Sequence, residues 1–392
     1  MRRLLLITAT IVFAAQPAWA GDSTGWNLTP LSLSLDGWTA ALGGSASGAA
    51  YGAKQGGDIE GSGLTGSGLV AANLVHLFGN GWELGLNTDF LVWHDALSGD
   101  NYGNRVFEKG YLSLQTDYGR VELGQQDGAA YALSTTGPKV DDPVAIDDAN
   151  VTFYRDPSTG QAFTNIFQIR TGVFATENYA KISFYSARLS GIEIGGSFTP
   201  YEARDGLPFI SRGSDPQDHR TDLLEAVANY QGDIGPVSTE AYAGMAVAHG
   251  EERMTQQDDL LDWGVGTSLD YDLEAVKLSL GGGFRQSNGY SFDIDEAFRG
   301  GLTRSFRLSA TAATGPWIFG IEYSEAVAGR EANLPGLRQT GYEPSAGYVV
   351  NSNLQLTLGW QYLDFTRDAG VFYDGKRGVE LRAAFLHMQF HV

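Results

Sequence analysis

The chain has 392 residues, no cysteine, and 46 acidic side chains against 26 Lys and Arg, a formal net charge of −20. The missing thiols exclude disulfides and thiolate metal sites, and the acidic balance excludes nucleic-acid binding through a broadly basic surface. With 52 glycines and 12% aromatic residues, the composition disfavours helix and leans towards strands and turns.

Residues 1–20 read as an export signal. Arg2 and Arg3 precede the apolar run LLLITATIVFAA, and Ala18 and Ala20 give a small-residue cleavage pattern. The run is shorter than the ~20 apolar residues of a membrane-spanning helix. The mature chain, 21–392, then starts near Gly21; losing Arg2 and Arg3 makes its net charge −22. No later stretch is apolar enough for a membrane helix. A soluble β-protein or a closed transmembrane barrel remains, because lipid tolerates only helices and closed barrels.

The first strand signal is LSLSLDGWTAALGG (31–44), which alternates twice around a break at Asp36–Gly37. The small residues of 41–57 read equally as a close-packing subunit contact and as a flexible first loop. Trp82, Leu84, Leu86, Phe90 and Val92 then alternate with Glu83, Gly85, Asn87 and Asp89. Ile182 and Phe184 alternate with Lys181, Ser183 and Tyr185, and Val276, Leu278, Leu280 and Phe284 with Lys277, Ser279 and Arg285. Phe306 and Leu308 interleave with Arg307 and Ser309, and Trp317, Phe319, Ile321 and Tyr323 with Gly320 and Glu322. In NLQLTLGWQYLDF (353–365), Leu354, Leu356, Leu358, Trp360 and Tyr362 share one face. Each segment has the length of a tilted bilayer-crossing strand, about ten residues.

Tight turns are expected at 79–81, 117–119, 189–191, 232–236, 272–274, 314–316 and 351–353. Longer polar connections are expected near 47–62, 94–105, 128–177, 202–220, 249–259, 286–302, 326–340 and 365–376. Strict alternation of the two predicts an all-β, 16-stranded antiparallel transmembrane β-barrel with both termini on the periplasmic side, 18 strands being the alternative. A soluble sandwich does not account for Trp82, Trp93, Trp263, Tyr271, Trp317, Tyr323, Trp360 and Tyr362 near strand ends, as in interfacial girdles.

Other signals carry less. GSGLTG (61–66) lacks the strand–helix context of a dinucleotide site. His387 and His391 lie about 13 Å apart along a strand, too far for one metal. No G-x-S-x-G elbow is present, so an enzyme is not expected.

At YLSLQTDYGRVELGQQDGAAY (111–131), ENYAKISFYSARLSGIEIGGSFTP (177–200) and the closing LHMQFHV, the chain resembles the general, non-specific porins of Gram-negative outer membranes. It departs in ending on Val392, with Phe390 two places in. The resemblance implies a multi-pass outer-membrane barrel surrounded by lipid and lipopolysaccharide. It also implies a homotrimer and a water-filled channel for small hydrophilic solutes and ions. A third loop folded inward would narrow the channel, its acids facing bases on the wall.

Residues 128–177 are the candidate constriction loop, with Asp141, Asp142, Asp147, Asp148 and Asp156 against Lys139 and Arg155. Carboxylates in a narrow pore attract cations, so moderate cation selectivity is expected. Lys109, Lys181, Lys277, Arg285 and Arg307 are the candidate basic wall. The alternatives are a solvated surface loop, a solute-selective channel using Tyr131, Phe153, Tyr154, Tyr185 and Tyr242, or a non-conducting adhesive barrel. The paired aspartates also suit Ca²⁺, though without a calcium-loop spacing; no other cofactor or metal is expected.

Overall fold

The computed structural model describes residues 29–55, 59–94, 107–147, 153, 170–173, 175–176, 179–201, 221–249, 259–288, 302–328, 337–367 and 377–392. The export signal, Asp148, Tyr154 and Asp156 lie outside them. The strands are β1 (Leu31–Leu35), β2 (Trp38–Gln55), β3 (Ile59–Leu77), β4 (Glu83–His94), β5 (Phe107–Thr116), β6 (Gly119–Gln125), β7 (Ala180–Ser186), β8 (Ile192–Tyr201) and β9 (Thr221–Ile234). They continue with β10 (Val237–His249), β11 (Leu260–Leu273), β12 (Val276–Ser287), β13 (Thr303–Thr314), β14 (Trp317–Ala328), β15 (Leu337–Asn351), β16 (Leu354–Arg367) and β17 (Gly378–His391). A short helix, α1 (Ala129–Ala132), follows β6. No described helix is long and apolar enough to cross a membrane.

From β2 to β17 each strand pairs antiparallel with the next, and β17 pairs back with β2 from Leu381↔Gln55 to His391↔Ser45. This closes a sixteen-stranded ring and removes every long edge. The backbones of Val392 and Gly44 complete the seam, bonding both ways at 3.0 and 2.8 Å. Below that point β1 takes over as the partner of β2, from Leu31↔Leu42 to Leu35↔Trp38. The break at Asp36–Gly37 is the turn between them: both residues have positive φ, 50° and 81°, as in a type I′ hairpin. The seven other tight turns join β3–β4, β5–β6, β7–β8, β9–β10, β11–β12, β13–β14 and β15–β16 at the positions expected.

One expected loop is strand instead. β2 and β3 stay in register from Trp38↔His76 to Gln55↔Ile59, so the described residues of 47–62 and of 41–57 are strand rather than loop. Ala, Gly and Ser there are too small to display alternation, yet Ala49 and Ala53 are buried while Ala46 and Ala50 are exposed. Backbone ladders to β17 and β3 supply what the side chains do not signal.

The apolar parity faces away from the ring. Leu358 is 61% exposed while its neighbour Thr357 is 0%. Leu86, Leu112, Phe184, Leu280, Leu308 and Ile321 are likewise exposed. Each such side chain is worth about 1.5–3 kcal/mol when removed from water, which a lipid surround supplies. Among the described residues, apolar packing inside the ring gathers in two clusters. One gathers Leu223, Val227, Tyr242 and Ala246 with Ala129 and Ala130; the other gathers Leu363, Phe365, Leu381 and Phe385 with Val144, Ile146 and Phe153.

Candidate functional site

Those clusters lie where the segment after β6 enters the lumen. At its root, Lys181 on β7 donates to the carbonyls of Gln126 (2.5 Å) and Thr176 (3.1 Å), tying the outgoing and returning legs together. Glu225 on β9 holds the same two legs. It accepts from the Ala130 amide (3.0 Å), the Thr176 hydroxyl (2.7 Å) and the Ser197 hydroxyl (2.9 Å). Tyr242 on β10 donates to the Thr171 carbonyl at 2.7 Å, and Asn229 to that of Leu133 at 3.1 Å.

The loop then runs along the wall over β12–β17. Gly137, at φ +94°, lies against Gly281 of β12, where a Cβ would meet the Gly137 Cα at 2.7 Å. Such backbone-to-backbone approach admits only glycine. Val140 sits over Gly320 of β14, and its carbonyl accepts from Gln355 at 2.8 Å. Gln361 reaches the Val144 carbonyl at 3.1 Å and Glu343 at 2.7 Å. At the far end Phe153 stacks on Phe385, centroids 5.0 Å apart, and lies 5.2 Å from Tyr51.

An ion network fastens the middle. Arg307 on β13 is wholly buried. It donates to the carbonyls of Thr136 (2.7 Å) and Pro138 (3.2 Å) and pairs with Glu322 at 2.8 Å. Asp147 lies 3.7 Å from Arg307 and 3.0 Å from Lys139. Burial alone would raise the Asp147 carboxyl, but the two cations overcome it and hold the group at about 2. Burial would likewise lower Lys139, and Asp147 and Asp142 hold it above its ordinary range instead. Asp141 is sealed against His387 of β17 at 2.7 Å.

The expected acids therefore divide. Asp141 and Asp147 do not line the open pore; they are buried fastenings, with side chains 1% and 4% exposed. Asp142 does face the lumen, its side chain 78% exposed, although Lys139 lies 2.6 Å away. The expected basic wall divides too. Arg307 and Lys181 hold the loop, and Arg285 is spent on a buried two-bond pair with Asp262 at 2.8 and 2.5 Å. Lys277 sits beside the 274–275 turn, at the mouth rather than the waist, and pairs with Asp270 at 2.7 Å. Lys109 lies on wall that the described part of the loop beyond Asp127 does not contact, 2.5 Å from Asp127.

An ordered aromatic lane is not present in the described residues, because Phe153, Tyr185 and Tyr242 are buried. Among the described residues no three candidate metal ligands converge; Asp142 and Asp147 both turn to Lys139, and Asp141 to His387. Sequence reasoning missed Glu225 and His387 as fastenings. Inward parity marks both, but nothing local marks the Ala130 amide or the Asp141 carboxylate as their partner.

A family model described as Gram-negative porin matches residues 8–368. Solved structures with a similar fold include OmpF of Salmonella typhi in complex with daunomycin. It has a TM-score of 0.57 and 12% identity over 92% of this chain and 100% of that one. An anion-selective porin from Comamonas acidovorans has a TM-score of 0.54 and 13% identity, over 91% and 100%. The trimer form of OmpT from Vibrio cholerae has a TM-score of 0.54 and 10% identity, over 91% and 100%. At such identities the likeness is one of fold alone. A search of curated proteins returns no match.

Proposed function

The chain belongs to the Gram-negative porins, and on that premise we propose that it is a passive outer-membrane channel for small hydrophilic solutes and ions, moderately selective for cations. The observation that carries this reading is the loop after β6, which lies inside the closed ring and is fixed along its wall at both ends. A fixed internal loop narrows a lumen permanently, and a narrow cross-section keeps every ion within about 8 Å of its lining at physiological salt. The exposed Asp142 favours cations. Porins are channels rather than enzymes, and the reading assigns no catalysis. We further infer a homotrimer embedded in lipid and lipopolysaccharide, as the trimeric form of one structural neighbour suggests.

Planar-bilayer recording with purified protein tests this. Stepwise conductance is expected, with a zero-current potential of cation sign in a KCl gradient and no block by sugars. Absent conductance would favour a closed structural barrel, and sugar block a solute-selective one.

A further inference from the structure

The sequence leads one to expect a basic wall opposite the loop, opposing the cation preference of the loop acids. We propose instead that the β4–β6 wall, which the described loop residues beyond Asp127 do not contact, is itself cation-attracting, with Asp89 as its deciding residue. The inference rests on the channel reading above.

The contacts described for the loop beyond Asp127 fall on β7–β17 and, through Phe153, on β2. Inward parity on β4, β5 and β6 brings Asp89, Lys109, Tyr111, Arg120 and Glu122 to the lumen. The ladder sets Asp89 opposite Lys109, and Arg120 and Glu122 opposite Gln115 and Ser113. Two of the bases on this strip are already matched. Lys109 shares its charge with Asp127 at 2.5 Å, each 28% exposed. Arg120 pairs with Glu122 at 2.7 Å and lies over the Tyr185 ring at 4.5 Å. Among the described residues of this strip Asp89, which shares Lys109 with Asp127, is the third carboxylate against two bases, leaving one net negative charge.

Paired charges leave only a dipole, whose field falls off faster than that of a lone charge. A permeating ion therefore responds mainly to the strip's net charge, which the Asp89 carboxylate supplies. One unit charge about 6 Å from the ion path changes local ion concentration by a factor of roughly two to three, in opposite directions for the two signs. Across cation and anion together this is a several-fold change in permeability ratio at low salt, and less at 1 M. The preferred solutes are small cations, including ammonium-bearing ones.

The test compares reversal potentials of three proteins in KCl gradients. Asp89→Asn is expected to lower the cation-over-anion ratio several-fold at low salt. The double variant Lys109→Met with Asp127→Asn removes one charge of each sign and is expected to leave the ratio within about twofold. Stepwise conductance in each variant reports an intact barrel. A wild-type channel that does not conduct, or prefers anions, refutes the channel or selectivity reading itself. A cation-preferring wild type with an unaltered ratio in Asp89→Asn, or a several-fold rise in the double variant, overturns the inference alone. Should Asp89→Asn fail to fold, Lys109→Met alone decides: it is expected to raise the ratio, and no rise counts against the proposal.

Discussion

Arg307→Met removes the centre of the loop attachment while leaving the β12–β13–β14 backbone ladders intact. The guanidinium serves Glu322, Asp147 and the carbonyls of Thr136 and Pro138, all in a buried setting. Deleting one partner of a buried ion pair costs about 3–5 kcal/mol, because the remaining carboxylates stay buried with less compensation. Other fastenings of the loop's middle are the buried Asp141–His387 contact and the bonds from Gln355 and Gln361 to loop carbonyls, the last two worth about 0.5–1.5 kcal/mol each. The loss thus removes a large share of the middle's attachment while the Asp141–His387 contact remains. At about 1.4 kcal/mol per decade it multiplies the detached-to-attached ratio of the middle stretch by roughly 10²–10⁴. The two apolar clusters still pin the ends, so the loop is expected to fluctuate rather than leave. Single-channel traces should show frequent subconductance transitions that the parent lacks. Arg304→Met, on the same strand but exposed, is the control and should stay quiet. A trace of parental amplitude and noise in Arg307→Met would refute the assignment of the loop's attachment to this residue.

Acid should mimic that lesion late. Asp147 is depressed from its ordinary 3.8 to about 2, so its own contribution is complete only above about pH 5 and fades as pH falls through 2; noise should grow steeply below pH 3. Gly320→Val places methyls where Val140 already packs, an overpacking cost of about 1–3 kcal/mol, read as a lowered loop-dependent thermal transition and altered conductance. Leu358→Arg puts a charge on the lipid face and should cost about 2–4 kcal/mol in refolding titrations if the residue lies near the bilayer midplane; Gln355→Lys, of lumen parity, should fold but change noise. Asp142→Asn should move the zero-current potential towards anions with amplitude nearly intact, whereas Asp147→Asn should chiefly add noise, and the reverse pattern would show that exposure does not decide which acid the ions sense.

Much of the fold was legible because a barrel writes its geometry into parity. Alternating residues such as Leu356, Thr357 and Leu358 declare both faces of a strand, and a Gly- or Pro-containing turn declares its end. The legible signal stopped where both faces carry small residues. In β2 and β3 the same Ala, Gly and Ser serve lumen and exterior, so period two is invisible and the stretch reads as a loop. Pairing on both sides, a non-local property, overrode that local impression.

The site was harder to read for a related reason. Parity assigns Lys181, Arg285 and Arg307 to the lumen correctly, but the lumen is two environments, one covered by the loop and one facing water. A base on covered wall is a fastening, because leaving it unpaired in a buried setting would cost several kcal/mol; the same base on open wall would act on ions. Which applies depends on where the loop backbone runs. That path follows cavities left by Gly281, Gly320 and Gly341, residues that carry no charge and attract no notice in a search for selectivity. In this channel the glycines of the wall select which acids and bases remain exposed, so the ionic character of the pore is set partly by residues that never touch an ion.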